Sequence, residues 1–140
     1  MSDSVADRLD GIVHADTQVT DRGVDLTAAE ISVVDDPGRI DFGGGELTDA
    51  ASSPVETEKR NPEDDYGWWN VEEGTYLLSY NETLTGEDLL VLQPRTELRE
   101  RGASHPTLFT DSLGTVPLSV PTGGLRLKEN ARVSTLLEPP

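Results

Sequence analysis

A chain of 140 residues is long enough for one domain with a hydrophobic core and too short for two domains of the usual size. Its 27 acidic residues outnumber the 11 lysines and arginines and give a formal charge of −16, which would repel the phosphates of a nucleic acid. The chain has no cysteine, which excludes disulfides and zinc-thiolate sites. We therefore expect one domain over residues 1–140 that does not bind nucleic acid.

The acidic residues are spread from Asp3 to Glu138 without a block of like charges, and only Lys59 and Lys128 are lysines. This even distribution of acidic residues favours a salt-adapted, halophilic surface over a metal-binding cluster or an acidic tail. The first four residues lack the basic and then apolar order of a signal peptide, and no apolar run approaches the length of a membrane span. We expect a cytoplasmic protein without membrane contact.

The first half of the chain gives weak signals. Residues 1–16 show amphipathic spacing, typical of a short lead-in helix, and the alternation from Val24 to Val33 predicts a strand pair or one bent strand. Residues 35–67 hold many glycines, prolines and charges, which predicts a long surface excursion that has room for a strand from Arg39 to Phe42. The three glycines at 43–45 are not followed by Lys and Ser or Thr, so they do not form a phosphate-binding P-loop.

The second half is more regular. Residues 75–82 are rich in β-formers, residues 88–93 read as a short buried strand, and residues 95–102 combine helix formers with a closing glycine. Three further β segments are predicted at residues 106–110, 115–120 and 125–137, the last broken by a turn at Glu129–Asn130. Short strands separated by turns, with little helix, predict an all-β sandwich or barrel.

Four segments carry a family resemblance. Residues 18–26 (QVTDRGVDL) form a glutamine-led stretch that ends in Asp-Leu, and residues 74–82 form a glycine-led strand that ends in a glutamate. Residues 95–102 (RTELRERG) are similar to a central Arg-Ser-Ser-Leu-Ala-Arg-x-Gly motif, and residues 125–139 resemble closing strands that end in Glu-Pro. In their order and spacing these segments resemble the dCTP deaminase and dUTPase superfamily.

The resemblance implies a distorted jelly roll, which is a β-clip-like barrel, with one short helix. It also implies a homotrimer with substrate sites between subunits, and a nucleoside triphosphate that carries Mg²⁺ as the substrate. In the deaminases of this superfamily a carboxylate activates water for attack on the carbon that bears the amine. In its diphosphatases an aspartate orients water for attack on the α-phosphorus.

The central motif supplies the candidate substrate contacts. Arg95 aligns with the first arginine of the motif, whose guanidinium suits bidentate contacts to phosphate. Thr96 and Glu97 replace the two serines, and Arg99 lies beside the second arginine's position, which Glu100 occupies. We expect Arg95, Thr96 and Arg99 to bind the phosphates, with an interface arginine and a helix cap as the alternatives for Arg95 and Thr96.

The candidate catalytic carboxylates are Glu97 and Asp111. Asp111 opens a shortened version of the superfamily's Asp-to-Gly segment, which ends here at Gly114, and a turn is the alternative for it. Glu97 is alternatively one of many solvated acids. Ser119 aligns with the glutamate of the deaminases, and we expect it to contact the substrate instead.

The remaining conspicuous residues have two interpretations each. Asp25 fits a structural network better than the site, and Trp68–Trp69 would either stack a base or fill a core. His105 is expected in a loop, held by a backbone hydrogen bond. A basic cluster of Arg126, Lys128 and Arg132 would either grip the triphosphate or neutralise acids across a trimer contact.

Three functions remain open from the sequence. The glutamine-led first motif favours dCTP deaminase activity, which converts dCTP and water to dUTP and ammonia. The short chain favours dUTP diphosphatase activity, in which Asp111 would serve the hydrolysis of dUTP to dUMP and pyrophosphate. The altered central motif favours a trimer that keeps the fold, and with it nucleotide binding or a structural role, without turnover.

Overall fold

The computed structural model describes residues 2–140, and these form eleven strands and three short helices. The elements in chain order are α1 (Ser2–Ala6), β1 (Leu9–Asp10), α2 (Ala15–Gln18), β2 (Val24–Asp36), β3 (Ala51–Pro54), β4 (Trp68–Val71), β5 (Gly74–Tyr80), β6 (Thr83–Leu84), β7 (Leu90–Pro94), α3 (Thr96–Glu100), β8 (Leu108–Thr110), β9 (Val116–Val120), β10 (Leu125–Lys128) and β11 (Arg132–Leu137). The predicted all-β class is confirmed. Helix α1 lies in the segment whose spacing indicated a lead-in helix, and α2 is a further short helix that was not predicted. No helix in this part of the chain has the length and apolar character needed to cross a membrane.

A seven-stranded antiparallel sheet forms the body, with the order β8-β7-β11-β2-β5-β9 and with β3 added to the outer half of β2. A backbone bridge between Ser104 and Ser119 joins the segment after α3 to the edge strand β9, so the sheet curls round on itself. The concave side holds the apolar core, because alternate residues of each strand point inward. The largest fully buried apolar side chains are Leu26, Ile31, Leu78, Leu92, Leu118 and Leu136.

Strand β2 organises the sheet, and it is the single bent strand that the sequence left as one of two alternatives. Its first five residues, Val24–Ala28, are all buried, whereas residues 33–36 are exposed. Its pairing with β5 shifts register between Ala28 and Glu30, which is the irregularity expected of a β-bulge. The bend lets one strand line the core at its start and carry the outer strand β3 at its end.

Residues 35–67 are mostly exposed, but the strand suggested at Arg39–Phe42 is wrong. Only a single bridge forms there, between Arg39 and Thr48. Ile40 and Phe42 beyond it are fully exposed, so no neighbouring strand is available to continue the ladder. The strand of this segment is instead β3, which pairs with β2.

Strand β7 and helix α3 lie close to where the sequence predicts them, but β7 begins two residues later and Leu89, expected in the buried run, is 52% exposed. Leu90, Val91 and Leu92 are consecutive and all buried, so β7 is covered on both faces. Gly102 has φ of +87°, the left-handed conformation that a helix-closing glycine adopts. Thr96 is not the N-cap, because Arg95 occupies that position in an extended conformation and Thr96 is the first helical residue.

Strands β4 and β10 form a separate two-stranded antiparallel ribbon. Trp69 and Leu127 are directly opposite each other and buried against the core. Trp68 and Lys128 form the next pair and face outward, as the alternation of a strand requires. The ribbon thereby gives the two adjacent tryptophans different environments.

Candidate functional site

Two adjoining cavities lie where β7 ends and α3 begins. The first has a volume of about 200 Å³ and the second of about 390 Å³, and Arg22, Arg95, Thr96 and Thr135 line both. The other residues of the first are Gln93, Pro94, Arg99 and Thr107, and the other residues of the second are Thr20, Asp21, Asp25, Glu97 and Arg132. The cavities therefore bring the expected contacts Arg95, Thr96 and Arg99 together.

The first cavity is lined by three arginines and by no acidic residue. Arg99 and Arg22 are exposed, and the guanidinium of Arg99 donates a long hydrogen bond of 3.3 Å to Thr96 Oγ1. In a chain that carries 27 acids, an acid-free cavity with three guanidinium groups is a local reversal of charge. Its residues suit an oxyanion such as phosphate.

Buried Asp25 holds two of the arginines at this site. Its Oδ2 atom lies 3.0 Å from Arg132 Nη1 and 3.4 Å from Arg95 Nε, and its Oδ1 accepts a hydrogen bond of 2.9 Å from Thr135 Oγ1. Arg95 also donates from Nη1 to the backbone carbonyl of Arg132, 3.1 Å away. The structural role expected for Asp25 thus takes a definite form: its carboxylate fixes Arg95 at the rim of the cavity.

Glu97 lies at the mouth of the second cavity. Its carboxylate is 3.2 Å from Arg95 Nη2, and its side chain is 56% exposed. Because Arg95 is only 16% exposed, this ion pair joins a largely buried cation to a solvent-exposed carboxylate. Glu97 reaches the same cavity as Arg95, whereas the next acid of the helix, Glu100, does not line it.

Asp111 and Ser119 line neither of these cavities within one copy of the chain. Thr110 pairs with Leu90 at the start of β7, whereas Arg95 follows the end of that strand. Five residues of extended chain span about 16 Å, so Asp111 lies at the far end of β7 from Arg95. Ser119 lies on the edge strand β9 with its backbone paired to Ser104, and it lines neither cavity.

The basic cluster expected near the C-terminus is divided. Arg132 lies on β11 and pairs with Asp25, whereas Arg126 and Lys128 lie on the outer face of the β4-β10 ribbon. The expectation of one cluster is wrong because the turn at Asn130, whose φ is +67°, separates strands that belong to different sheets. Proximity in sequence did not predict which sheet each cation would join.

A buried hydrogen-bonded chain lies behind the cavities. His105 Nε2 is 2.7 Å from Ser134 Oγ, and Ser134 Oγ is 2.7 Å from the hydroxyl of Tyr80. The other ring nitrogen, Nδ1, lies 2.9 Å from the carbonyl of Pro106, which confirms the expected backbone hydrogen bond. Burial lowers the pKa of His105 below its usual 6.5, against the opposing effect of the Pro106 carbonyl, and burial raises the pKa of Tyr80.

A second buried network was not predicted from the sequence. Glu82 is 1% exposed and accepts hydrogen bonds from Gln18 Nε2 (2.8 Å), Thr27 N (3.0 Å) and Thr27 Oγ1 (2.6 Å). Gln18 also donates to the backbone carbonyl of Asp25, 2.9 Å away, and so links this network to the site. The only signal was that Gln18 and Glu82 both belong to segments that carry the family resemblance.

Sequence comparison finds relatives over nearly the whole chain. No family model matches it. A probable deoxyuridine 5'-triphosphate nucleotidohydrolase of Methanosarcina mazei is 29% identical over 92% of this chain and 76% of that protein. A protein of the same name from Halobacterium salinarum is 37% identical over 58% of this chain and 46% of that protein.

Structure comparison agrees with these relatives. The chain matches the crystal structure of 2'-deoxycytidine 5'-triphosphate deaminase from Agrobacterium tumefaciens with a TM-score of 0.57. The match covers 94% of this chain at 16% identity, so it bears on the fold alone, and the chain spans 43% of the length of that solved chain. The curated relatives and the solved structure together support the resemblance to the dCTP deaminase and dUTPase superfamily. The predicted dUTPase-type fold of the chain is thereby confirmed.

The residues that carry this resemblance divide into three parts. Arg95, Thr96 and Arg99 of the central motif line one cavity, and the motif's Leu98 anchors the helix because it is buried. Glu97 lines the adjoining cavity. Asp111 and Ser119 lie elsewhere on the same chain, so their roles stay predictions.

Proposed function

We propose that the chain binds a pyrimidine deoxynucleoside triphosphate and hydrolyses dUTP to dUMP and pyrophosphate. The carrying observation is the cavity at the end of β7, which three arginines line without an acid, in a chain of charge −16. The choice of dUTP is supported by the curated relatives, which are named as probable deoxyuridine 5'-triphosphate nucleotidohydrolases.

In this proposal the three arginines bind the triphosphate. Arg95 is pre-oriented by Asp25, and a guanidinium fork offers two parallel hydrogen bonds to a phosphate. Arg99 and Arg22 are exposed side chains that line the same cavity, and they bind the phosphates from its solvent side. Mg²⁺ would enter as part of the substrate, bound to the phosphates, and the two exposed acids that line the wider cavity, Asp21 and Glu97, would attract it.

The water that attacks the α-phosphorus needs a carboxylate with a free oxygen. Both oxygens of Asp25 are already engaged by Arg95, Arg132 and Thr135, so Asp25 positions Arg95. Asp111 is exposed, but its neighbour Thr110 pairs with Leu90, which lies five extended residues, about 16 Å, from Arg95 in the same chain. We therefore propose that Asp111 of a second copy completes the site, in a homotrimer with shared sites.

Deamination of dCTP to dUTP and ammonia is the second candidate, and Glu97 favours it. This carboxylate lines the wider cavity and is largely exposed, so it is free to activate water beside a pyrimidine. Ser119, which aligns with the deaminase glutamate, lines neither cavity of its own chain, so its contact with substrate also requires a second copy.

The proposed setting is the cytoplasm of a salt-adapted cell. The support is the evenly spread acidic coat and the relative from Halobacterium salinarum. A highly charged surface repels itself at low ionic strength, and salt screens that repulsion. We expect the fold to be retained in molar salt and weakened when the salt is removed, as circular dichroism would measure.

One assay separates the candidate functions. Purified protein is incubated with dUTP or dCTP in high salt and Mg²⁺, and pyrophosphate and ammonia are measured. Pyrophosphate from dUTP supports the leading proposal, and ammonia from dCTP supports the second. Nucleotide binding without either product would overturn both and leave a nucleotide-binding protein without turnover. Light scattering tests the shared site, since a monomer in molar salt would contradict it.

A further inference from the structure

A second basic surface lies on the β4-β10 ribbon, away from the cavities at α3. Its pocket has a volume of about 420 Å³ and shares no lining residue with either cavity of the first site. We call it the Trp68 pocket, and it is lined by Glu58, Lys59, Arg60, Trp68, Asn70 and Arg126. Lys128 lies beside it, directly opposite Trp68 in the ribbon.

Strand pairing brings these residues to one face. Trp68 pairs with Lys128 on one side and bridges to Glu58 on the other, and Asn70 pairs with Arg126. Residues directly opposite each other on neighbouring strands point to the same side, so the outer face of the ribbon collects these side chains. The inner face, with Trp69 and Leu127, is buried and holds the ribbon in place.

Two cations lie against the ring of Trp68. The guanidinium carbon of Arg60 is 4.1 Å from the ring centroid, and Lys128 Nζ is 5.7 Å from it. Both distances are within the range of a cation-π interaction. The indole ring of Trp68 therefore interacts with both Arg60 and Lys128.

Four cations meet here without a carboxylate partner. Among residues 2–140, none of Lys59, Arg60, Arg126 and Lys128 takes part in an ion pair. Glu58 is the one acid that lines the pocket, and its Oε2 atom accepts a hydrogen bond of 2.8 Å from Asn70. Where acids outnumber cations 27 to 11, four unpaired cations around one pocket make a positive site that is ready for an external anion.

We propose that the Trp68 pocket is a second anion-binding site that takes the phosphate chain of a nucleoside di- or triphosphate. The four cations face several phosphates at once, and the pocket has about twice the volume of the arginine cavity at α3. When the guanidinium of Arg60 binds a phosphate, it leaves the face of the Trp68 ring that it covers. A nucleotide base can then stack on that face, because every base has a π-face that stacks on an aromatic ring.

Binding is measured by calorimetry and by tryptophan fluorescence, at the lowest salt concentration at which circular dichroism shows the folded chain. The probes are inorganic tripolyphosphate, dUTP and deoxyuridine. Trp68 faces the pocket and Trp69 is buried, so a change in fluorescence reports on Trp68. We expect saturable binding of both phosphorylated probes and none of deoxyuridine. Tighter binding of dUTP identifies a nucleotide site, and equal binding identifies an inorganic polyphosphate site.

The decisive variant is R60Q/K128Q, which removes two exposed cations from this pocket. Its matched control is R39Q/R101Q, which removes two exposed cations that line neither site. We expect the first pair to weaken tripolyphosphate binding at the Trp68 pocket about tenfold or more and the control to leave it within about twofold, because a charge-assisted hydrogen bond is worth at least a factor of this order. Equal affinities in the two variants would overturn the proposal.

This inference and the proposed function fail separately. In the wild-type chain we expect two classes of sites for dUTP, one weakened in Arg99→Ala and the other weakened about tenfold or more in R60Q/K128Q. If R60Q/K128Q leaves the affinities of both classes unchanged, the Trp68 pocket is not an anion site, whatever the result with Arg99→Ala. If R60Q/K128Q instead changes the oligomeric state in light scattering, the pocket is a contact between copies, and the proposal is likewise overturned.

Discussion

Asp25 and Glu82 are both buried carboxylates near the start of β2, but they are stabilised in different ways. Asp25 belongs to β2, and Glu82 is hydrogen-bonded to Thr27 of that strand. Asp25 is paired with two arginines, Arg95 and Arg132, at the wall of a cavity. Glu82 forms no ion pair among the described residues and is held by neutral donors from Gln18 and Thr27. Charged partners are therefore used where the carboxylate lines a cavity open to solvent, and neutral partners where the carboxylate lies inside the fold.

The contrast has a physical basis. A buried carboxylate loses its hydration, and either a cation or several hydrogen bonds must replace it. At Asp25 the replacing cation also projects into the cavity, so its remaining hydrogen-bonding capacity is available to a ligand. At Glu82 every donor is used within the fold, so the carboxylate serves stability alone.

The largest effect is expected from Glu82→Ala. The change leaves buried donors of Gln18 and Thr27 without an acceptor, and each orphaned donor costs roughly 1–3 kcal/mol. We expect a loss of about 3 kcal/mol or more in the free energy of unfolding, measured by denaturant titration. Thr83→Ala, at the exposed neighbour, should change it by less than about 0.5 kcal/mol. An equal decrease in the free energy of unfolding in the two variants would mean that the Glu82 network does not stabilise the fold.

Asp25→Asn keeps the shape of the side chain and removes its charge. Arg95 and Arg132 lose their charged partner, and we expect the free energy of unfolding to fall by about 2–3 kcal/mol. Asp21→Asn is the matched control, because Asp21 lines the same cavity but is exposed. A loss at Asp25 no greater than at Asp21 would contradict the claim that charge stabilises this side of the comparison.

Arg95→Ala and Arg99→Ala separate structure from ligand binding. Both arginines line the arginine cavity, but only Arg95 is paired with Asp25. We expect each variant to weaken dUTP binding by about 1.5–3 kcal/mol in calorimetry. Only Arg95→Ala should also lower the melting temperature. If Arg99→Ala leaves the affinity unchanged, the cavity does not bind the triphosphate through this side chain.

The smallest effect concerns pH and His105, a third buried polar group. Burial lowers the pKa of His105 below its usual 6.5, so below pH 6.5 the unfolded chain takes up a proton that the folded chain does not. Stability should therefore fall as the pH drops below about 6.5, by at most about 1.4 kcal/mol per pH unit from this group. Melting temperatures from pH 7.5 to 5.5 measure the slope, which His105→Asn should reduce and His14→Asn should retain.

Local sequence patterns predicted the elements of the second half of the chain well. The apolar run of β7, the glycine that closes α3 and the turn before β11 each depend on residues a few positions apart. The prediction at Arg39–Phe42 failed because a strand also needs a neighbour with which to pair, and only one bridge is available there. Similarly, Thr96 failed as a cap because the end of β7 keeps Arg95 extended.

The sites were harder to predict than the elements. The central motif pointed to Arg95, Thr96 and Arg99, and the fold brings them to one cavity. The partners that give them their environment are distant in sequence, as with Asp25 and Arg132, which are 107 positions apart. The same holds for Gln18 and Glu82, which are 64 positions apart and whose contact no local pattern contains.

The charge of the surface, the strand-rich class and the superfamily resemblance follow from composition, short motifs and short-range periodicity, so they were visible in the amino-acid sequence. That eight of the eleven cations line or flank two separate basic regions, one at α3 and the other at Trp68, is a property of the folded chain. Strand order decides this, since it determines which distant side chains share a face, and that order follows from packing of the whole chain. The sequence supplied the charges, and the pairing of β11 with β2 and of β10 with β4 separated them.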